Sequence, residues 1–254
     1  MRVFSSDRSG AGRVLAGAIP DADYAGFSLE SPGTGEVSVS MLRNVPLSVG
    51  KDFTVAAVLK RGRRRYASFP SSLEEACHVA ASDPCACSQL SSAFPHLETF
   101  EEDGLEGCLE ALDEGRADVV VVPSAELEMS GRGSGIQEME ALVPAPSQGV
   151  VAAVCRKDDL ETLEAVRRLE DRRTRIEVGA ERGILRLMRA GPLAPVGVSA
   201  VLEDMFVHVD AVSFLCGGPR RFDGYLMSDY VMDDLLGIAE YLNGDRDYVV
   251  RGSA

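Results

Sequence analysis

Residues 104–125 read GLEGCLEALDEGRADVVVVPSA, and the reading of the whole chain turns on them. Leu105, Leu109 and Leu112 recur at helical spacing and give a helix one apolar face, which Gly115 ends. ADVVVVPSA then runs apolar without alternation. Such a strand is covered on both faces, as in a parallel sheet with helices above and below. A helix followed by a buried strand is part of a β–α–β unit.

The pattern extends outward from there. HLETFE (96–101) reads as a short strand, and FTVAAVLK (53–60) and QGVVAAVC (148–155) as buried ones. MRVFSS, AGFSLE and EVSVSML read as further strands. SLEEACHVA (72–80) reads as a helix capped by Ser71 or Ser72. EMSGRGSGIQEME (128–140) reads as a mobile surface segment. Strands alternate with helices to about residue 157, which predicts an α/β sheet. DLETLEAVRRLEDRRTRIEVGAERGILRLMRA then reads as mostly helix, with Leu160, Leu163, Val166 and Leu169 on one stripe. VGVSAVLED, MFVHVDAVSFLC and RFDGYLMS read as strands, and VMDDLLGIAEYLNG as a closing helix with an Asn-Gly stop. That C-terminal part is an α+β module.

Hydrophobic residues make up 45% of the chain and charged residues 26%, enough to bury a core. The net charge, 26 − 40 = −14, argues against a nucleic-acid binder, which needs a basic face. No apolar run is long enough to span a membrane, and MRVFSSDRSGAG lacks the apolar centre of a signal peptide. A cytoplasmic protein is expected. Its six cysteines are then thiols or ligands rather than disulfides.

Four stretches in order carry a resemblance. SMLRNVP (40–46), FPHLETFEEDGLEGCLEALDEGRADVVVVPSAEL (94–127), VPAPSQGVVAAVCR (143–156) and VGAERGILRLMRAGPLAPVGVSA (178–200) are similar to segments of the hydroxymethylbilane synthase (porphobilinogen deaminase) family. The similarity covers roughly residues 36–254. It implies three small α/β domains. Residues 1–60 plus 143–157 would form the first, 61–142 the second and 158–254 the third. The first two would resemble periplasmic binding proteins with a cleft between them, and the third would be an α+β domain carrying a cofactor loop. Members of this family join four porphobilinogen units head to tail, releasing ammonia, on a dipyrromethane primer tethered to a cysteine. Arginines grip the pyrrole carboxylates, for which the guanidinium fork is suited. An aspartate stabilises positive charge as ammonia leaves.

Carried onto this chain, the resemblance places the tethering cysteine at Pro192, which has no thiol. The aspartate falls at Asn44 and its neighbouring lysine at Arg43. A pair of carboxylate-binding arginines falls at Cys85 and Ala86, and two more fall at Glu102 and Cys108. Arg8 and Ser9 are the nearest remnant of a further substrate-binding motif, and Gln148 lies in the PSQG segment. The cleft candidates are therefore Arg8, Ser9, Arg43, Asn44, Cys85, Glu102, Cys108 and Gln148. Each charge-assisted hydrogen bond contributes about 1.5–3 kcal/mol, so losing four arginines removes about 6 kcal/mol or more. Losing the aspartate removes roughly 2.7–4 kcal/mol of electrostatic stabilisation by analogy with an oxyanion-hole donor. The expectation is a degenerate, non-catalytic family member with no dipyrromethane cofactor, binding a small ligand or a protein partner and neither nucleic acid nor membrane. One alternative is an enzyme that still makes hydroxymethylbilane with unusual residues. Another is a metal-binding module built from Cys77, His78, Cys85, Cys87 and Cys108. Thiolates and imidazole suit zinc or an iron–sulfur cluster, but the spacing fits no standard zinc signature and buried thiols explain it equally.

Two basic clusters also stand out. Lys60, Arg61, Arg63, Arg64 and Arg65 read as a solvated hinge surface or an anion site. Arg172, Arg173 and Arg175 read as the polar face of a helix. His96 and His208 read as structural, and Cys216 as a turn residue.

Overall fold

A computed structural model describes residues 2–5, 23–24, 34–42, 52–70, 73–132, 136–191 and 193–247. The described residues form three sheets. The first has the order β2-β1-β3-β10-β4, from β1 (Arg2–Ser5), β2 (Asp23–Tyr24), β3 (Glu36–Leu42), β4 (Phe53–Arg61) and β10 (Val150–Arg156). β1 pairs in parallel with β2 and β3, whereas β10 is antiparallel to both β3 and β4. Helix α4 (Leu160–Arg167) covers it. Leu163 and Val166 join Val37, Val39, Ala56, Ala57 and Ala153 in its core, while Leu160 is exposed.

The second sheet has the order β7-β6-β8-β5-β9, from β5 (Tyr66–Phe69), β6 (His78–Ala81), β7 (Glu98–Glu101), β8 (Val119–Pro123) and β9 (Gln137–Met139). β6 lies parallel to β7 and β8, and β5 is antiparallel to β8 and β9. β8, the valine run, is buried along its whole length. Alternate residues feed two cores. Tyr66, Val79, Val119 and Val121 pack against helix α1 (Pro84–Ala93). Ala67, Ala80, Val120 and Val122 pack against helix α2 (Gly104–Asp113) and Leu127 of the short helix α3 (Ser124–Met129). The both-faces-covered reading of this strand therefore holds.

Two local expectations do not hold. SLEEACHVA is not a helix: only Leu73–Glu75 makes a 3₁₀ turn, and His78–Ala81 is a central strand. Val79, Ala80 and Ala81 bury themselves between two neighbouring strands, which outweighs the local helical pattern. The helix begins later, where Asp83 caps it by accepting the Ala86 N–H and Pro84 takes its first turn. Likewise, residues 128–140 are not merely loop, since Gln137–Met139 pairs with β5 as an edge strand.

The third sheet is the meander β11 (Val196–Glu203), β12 (Phe206–Ser213) and β13 (Arg220–Met227), in unbroken antiparallel register. Helices α5 (Arg172–Leu187) and α6 (Met232–Leu242) cover one face. Ile184, Leu235, Ile238 and Leu242 meet Val196, Val198, Val207 and Val209 there. The mostly helical stretch expected after residue 158 consists of two helices, α4 and α5. The break falls at Asp171, which caps α5 through the Thr174 N–H and gives its own N–H to Val58.

Candidate functional site

The chain passes from the first sheet to the second at residues 61–65 and returns through residues 140–149. The two crossovers touch where the Gly62 N–H donates to the Gly149 carbonyl at 2.7 Å. Gly149 has φ +74, and a Cβ there would collide with the Arg63 carbonyl, so only glycine fits. The two sheets are joined through this contact.

The third sheet and α5 are riveted to both crossovers. Arg61 lies 2.6 Å from Glu181 and 3.3 Å from Glu177, and Arg64 lies 3.3 Å from Glu177. Glu181 also accepts the N–H groups of Ser147 and Ala200, and Glu177 that of Leu202. Arg61 and Arg64 additionally reach the Ala200 carbonyl, and Arg182 donates to the Ser147 hydroxyl at 2.8 Å. This corrects both readings of the basic cluster. Arg61 is neither solvated nor holding an external anion; its counter-charges are two buried glutamates of α5. Burial lowers the Arg64 pKa, with Arg61 adding to the effect. Only the outer members behave as a surface: Arg63 pairs with Glu128 and Glu138, and Arg65 donates to the Glu140 carbonyl. Of the second basic cluster, Arg173 pairs with Glu177 and Arg175 with Glu170.

A second buried polar group sits at the start of α1. The Tyr66 hydroxyl donates to the Asp83 carboxylate at 3.0 Å. Gln89 grips the Val143 backbone like a strand neighbour, donating to its carbonyl and accepting its N–H, both at 2.8 Å. The same amide donates to the Cys85 thiol at 3.1 Å. Burial raises the pKa of Asp83, of Tyr66 and of Cys85. A Cβ on Gly197 would lie 3.2 Å from the Cys85 sulfur and 2.8 Å from the Val143 carbonyl. Position 85 is thus enclosed by the return crossover and by β11.

The sequence-derived candidates do not converge. Cys85 is buried on α1 and Cys108 on α2, the helices that cover opposite faces of the second sheet. Burial, with Glu102 adding to it, pushes the Cys108 thiol up to about 12. Glu102 is paired with Arg116 and so presents no bare negative charge. Gln148 is buried, its carbonyl oxygen accepting the Ala145 N–H. Cys77 and His78 are exposed at the other end of β6, their N–H groups held by Asp118, and Cys87 is half-buried. Among the described residues, no three His, Cys, Asp or Glu side chains gather where a metal could be held. Cys77, His78, Cys85, Cys87 and Cys108 are not brought together at one point. His96 stacks edge-on with Phe94, His208 bonds Asp223, and the Cys216 thiol donates to Asn243. Arg8, Ser9, Arg43, Asn44 and Pro192 lie outside the described residues. Sequence reasoning missed the Tyr66–Asp83–Gln89 group. Its legible signal was the Asp-Pro pair at 83–84, which starts a helix.

Two sheet-and-helix lobes joined by a double crossover, with a third module fastened to the joint, define a two-lobed α/β protein with an added α+β module. Residues 31–164 match the family model described as porphobilinogen deaminase, dipyromethane cofactor binding domain. The chain belongs to the porphobilinogen deaminase family. It is 33% identical to the porphobilinogen deaminase of Nocardia farcinica over 68% of this chain and 53% of that one. It is 32% identical to that of Xanthomonas axonopodis pv. citri over 69% of this chain and 62% of that one. The chain thus spans about half to two thirds of the length of these curated relatives. Among solved structures it is similar to an ancestral cationic amino acid solute binding protein, with a TM-score of 0.44 and 12% identity over 66% of this chain and 87% of that one.

Proposed function

We propose that this chain is a non-catalytic member of the family, serving tetrapyrrole biosynthesis as a binding or regulatory protein in the cytoplasm. One observation carries the reading. Position 85, where the family resemblance calls for a carboxylate-gripping arginine, holds a thiol sealed between Val143 and Gly197. The other arginine positions support it: Cys108 lies in the core, Ala86 is buried, and Glu102 is occupied by Arg116. The cations Arg61 and Arg64 cannot substitute, because Glu177 and Glu181 hold them.

The dipyrromethane group does not fit the residue present at the family's tether position. A thioether tether needs an accessible thiolate, and Pro192 stands at the tether position. Cys85 and Cys108 are buried with thiol pKa values raised by that burial, so neither takes its place. With Asn44 at the aspartate position, no carboxylate is supplied there to stabilise an imminium-like charge. No step of polymerisation is therefore assigned. The intended ligand is a small molecule or a protein partner, recognised without nucleic acid or membrane.

Intact-mass spectrometry of the protein from its own source tests this. The expected denatured mass is that of the bare chain, with any native-state excess lost on denaturation. A covalent excess that survives denaturation would overturn the reading in favour of an enzyme tethering its primer elsewhere.

A further inference from the structure

Exposed apolar side chains gather at one end of the third module. The turn into β12 presents Met205 and Phe206, the end of β13 presents Met227, and the start of α6 presents Val231, Met232 and Leu236. These six are between 38% and 64% exposed. Backbone contacts bring their segments together. Phe206 pairs directly with Met227, the Ser228 N–H donates to the Met205 carbonyl, and the Tyr230 N–H donates to the Met227 carbonyl just ahead of Val231. The core does not use them: Leu235, Ile238, Ala239 and Leu242 are the residues that α6 buries, whereas Met232 and Leu236, one turn apart, stay outside. A lone exposed apolar residue is ordinary, but several together mark a binding surface. Three of these are methionines, whose flexible thioethers repack against partners of different shape.

The charges among them are of one sign. Residues 203–206 and 227–236 hold Glu203, Asp204, Asp229, Asp233 and Asp234 and no lysine or arginine. Asp234 accepts the Val231 N–H and so serves the helix. Glu203, Asp204, Asp229 and Asp233 are exposed and make no ion pair with a described residue. Other surface carboxylates are paired, as Glu128 and Glu138 are with Arg63 and Asp158 is with Arg156. Two arginines of α5 flank the surface without neutralising it. Arg186 donates to the Met232 sulfur, and Arg173 donates to the Leu202 carbonyl while paired with Glu177.

We infer that this end of the third module docks a basic amphipathic helix of a partner protein. Its apolar face would seat on Phe206 and the methionines, and its lysines and arginines would meet the four carboxylates. Charge selects this occupant. A second copy of a chain with net charge −14 brings acid against acid. An anionic membrane surface attracts basic segments and repels such a rim. A helix with one apolar and one basic face satisfies both features at once. The inference does not rest on the loss of catalysis, because position 85 meets β11 at Gly197, about 20 Å from Glu203 by strand rise.

The test is titration of the full chain into a labelled leucine–lysine peptide of about 18 residues, patterned as an amphipathic helix, read by fluorescence anisotropy and deuterium exchange. The expected result is saturable binding that weakens with salt and protects the 203–206 and 227–236 amides. A scrambled peptide of the same composition should bind at least about tenfold more weakly. Glu203→Lys with Asp229→Lys should weaken binding of the patterned peptide at least about tenfold, and so should Met205→Ser with Val231→Ser. Melting should stay unchanged in both variants, since all four side chains are exposed and serine is a favoured N-cap at 231. No saturable binding up to about 1 mM peptide would overturn the inference. So would equal affinity for the scrambled peptide, protection confined to other segments, or affinity unchanged in either variant. Capture by anionic vesicles, or a concentration-dependent dimer protecting the same segments, would give the surface to a different occupant and overturn it too.

Discussion

The Arg61 guanidinium meets Glu181 at 2.6 Å across the boundary between the first sheet and α5, with both side chains almost wholly removed from water. Desolvating two charges costs more than their attraction returns unless the remaining lone pairs are used. Here they are: Glu181 accepts the Ser147 N–H from the return crossover and the Ala200 N–H from β11. One carboxylate therefore ties together both crossovers and the third module.

Removing that carboxylate leaves Arg61 with Glu177 alone and leaves the buried Ser147 and Ala200 N–H groups without their acceptor. Glu181→Ala should destabilise the protein by about 3–5 kcal/mol, the usual result of breaking a buried pair from one side. Urea denaturation followed by circular dichroism checks this. A loss below about 1 kcal/mol, typical of exposed pairs, would show that the pair is solvated and the joint loose.

Asp83 should make stability depend on acid in an unusual direction. Burial raises its folded pKa above the unfolded value, near 3.9. The folded state then binds the proton more tightly, so this contribution is fully present below the unfolded value. It is lost as pH rises through the folded pKa. Asp83→Asn keeps an acceptor for the Ala86 N–H and cannot titrate. Denaturation midpoints of the two proteins measured from pH 3 upward should diverge, with the parent losing stability relative to the variant. Parallel curves would refute the assignment.

The thiols should sort by burial. Cys77 and Cys216 are exposed, and a native-state maleimide reaction should label them first. Cys85, Cys108 and Cys155 are buried with raised pKa values and should react only on unfolding. Peptide mapping after brief labelling reads the order directly, and early labelling of Cys85 would mean that position 85 opens to solvent.

Gly197 is where β11 closes on α1. Gly197→Ala would drive a methyl group against the Val143 carbonyl and the Cys85 sulfur. Overpacking of this kind costs typically about 1–3 kcal/mol. Thermal melting should show that loss, whereas Gly191→Ala, with nothing near its Cβ, should not.

Legibility followed locality. β8 was plain because four valines in a row can only be covered on both faces, and α2 because its leucines share a stripe and Gly115 stops it at φ +70. β6 was misread because Glu74, Glu75 and Ala76 favour helix locally, whereas Val79–Ala81 are claimed by strands 20 to 40 residues away. The arginines after residue 60 looked like surface because nothing near them in sequence is acidic. Their counter-charges sit on α5, 116 and 120 residues further on. The cysteines looked like a cluster because one-dimensional spacing does not reveal that α1 and α2 lie on opposite faces of one sheet.

The central claim concerns chemistry, and porphobilinogen consumption tests it most directly. The purified chain should be incubated with porphobilinogen beside an active family member, with ammonia and hydroxymethylbilane followed over time. The expected result is no consumption above the spontaneous rate, unchanged by Pro192→Cys alone, because the arginine positions would still hold Cys85, Ala86, Glu102 and Cys108. Stoichiometric release of ammonia with hydroxymethylbilane, by the parent chain or by that single variant, would contradict the account.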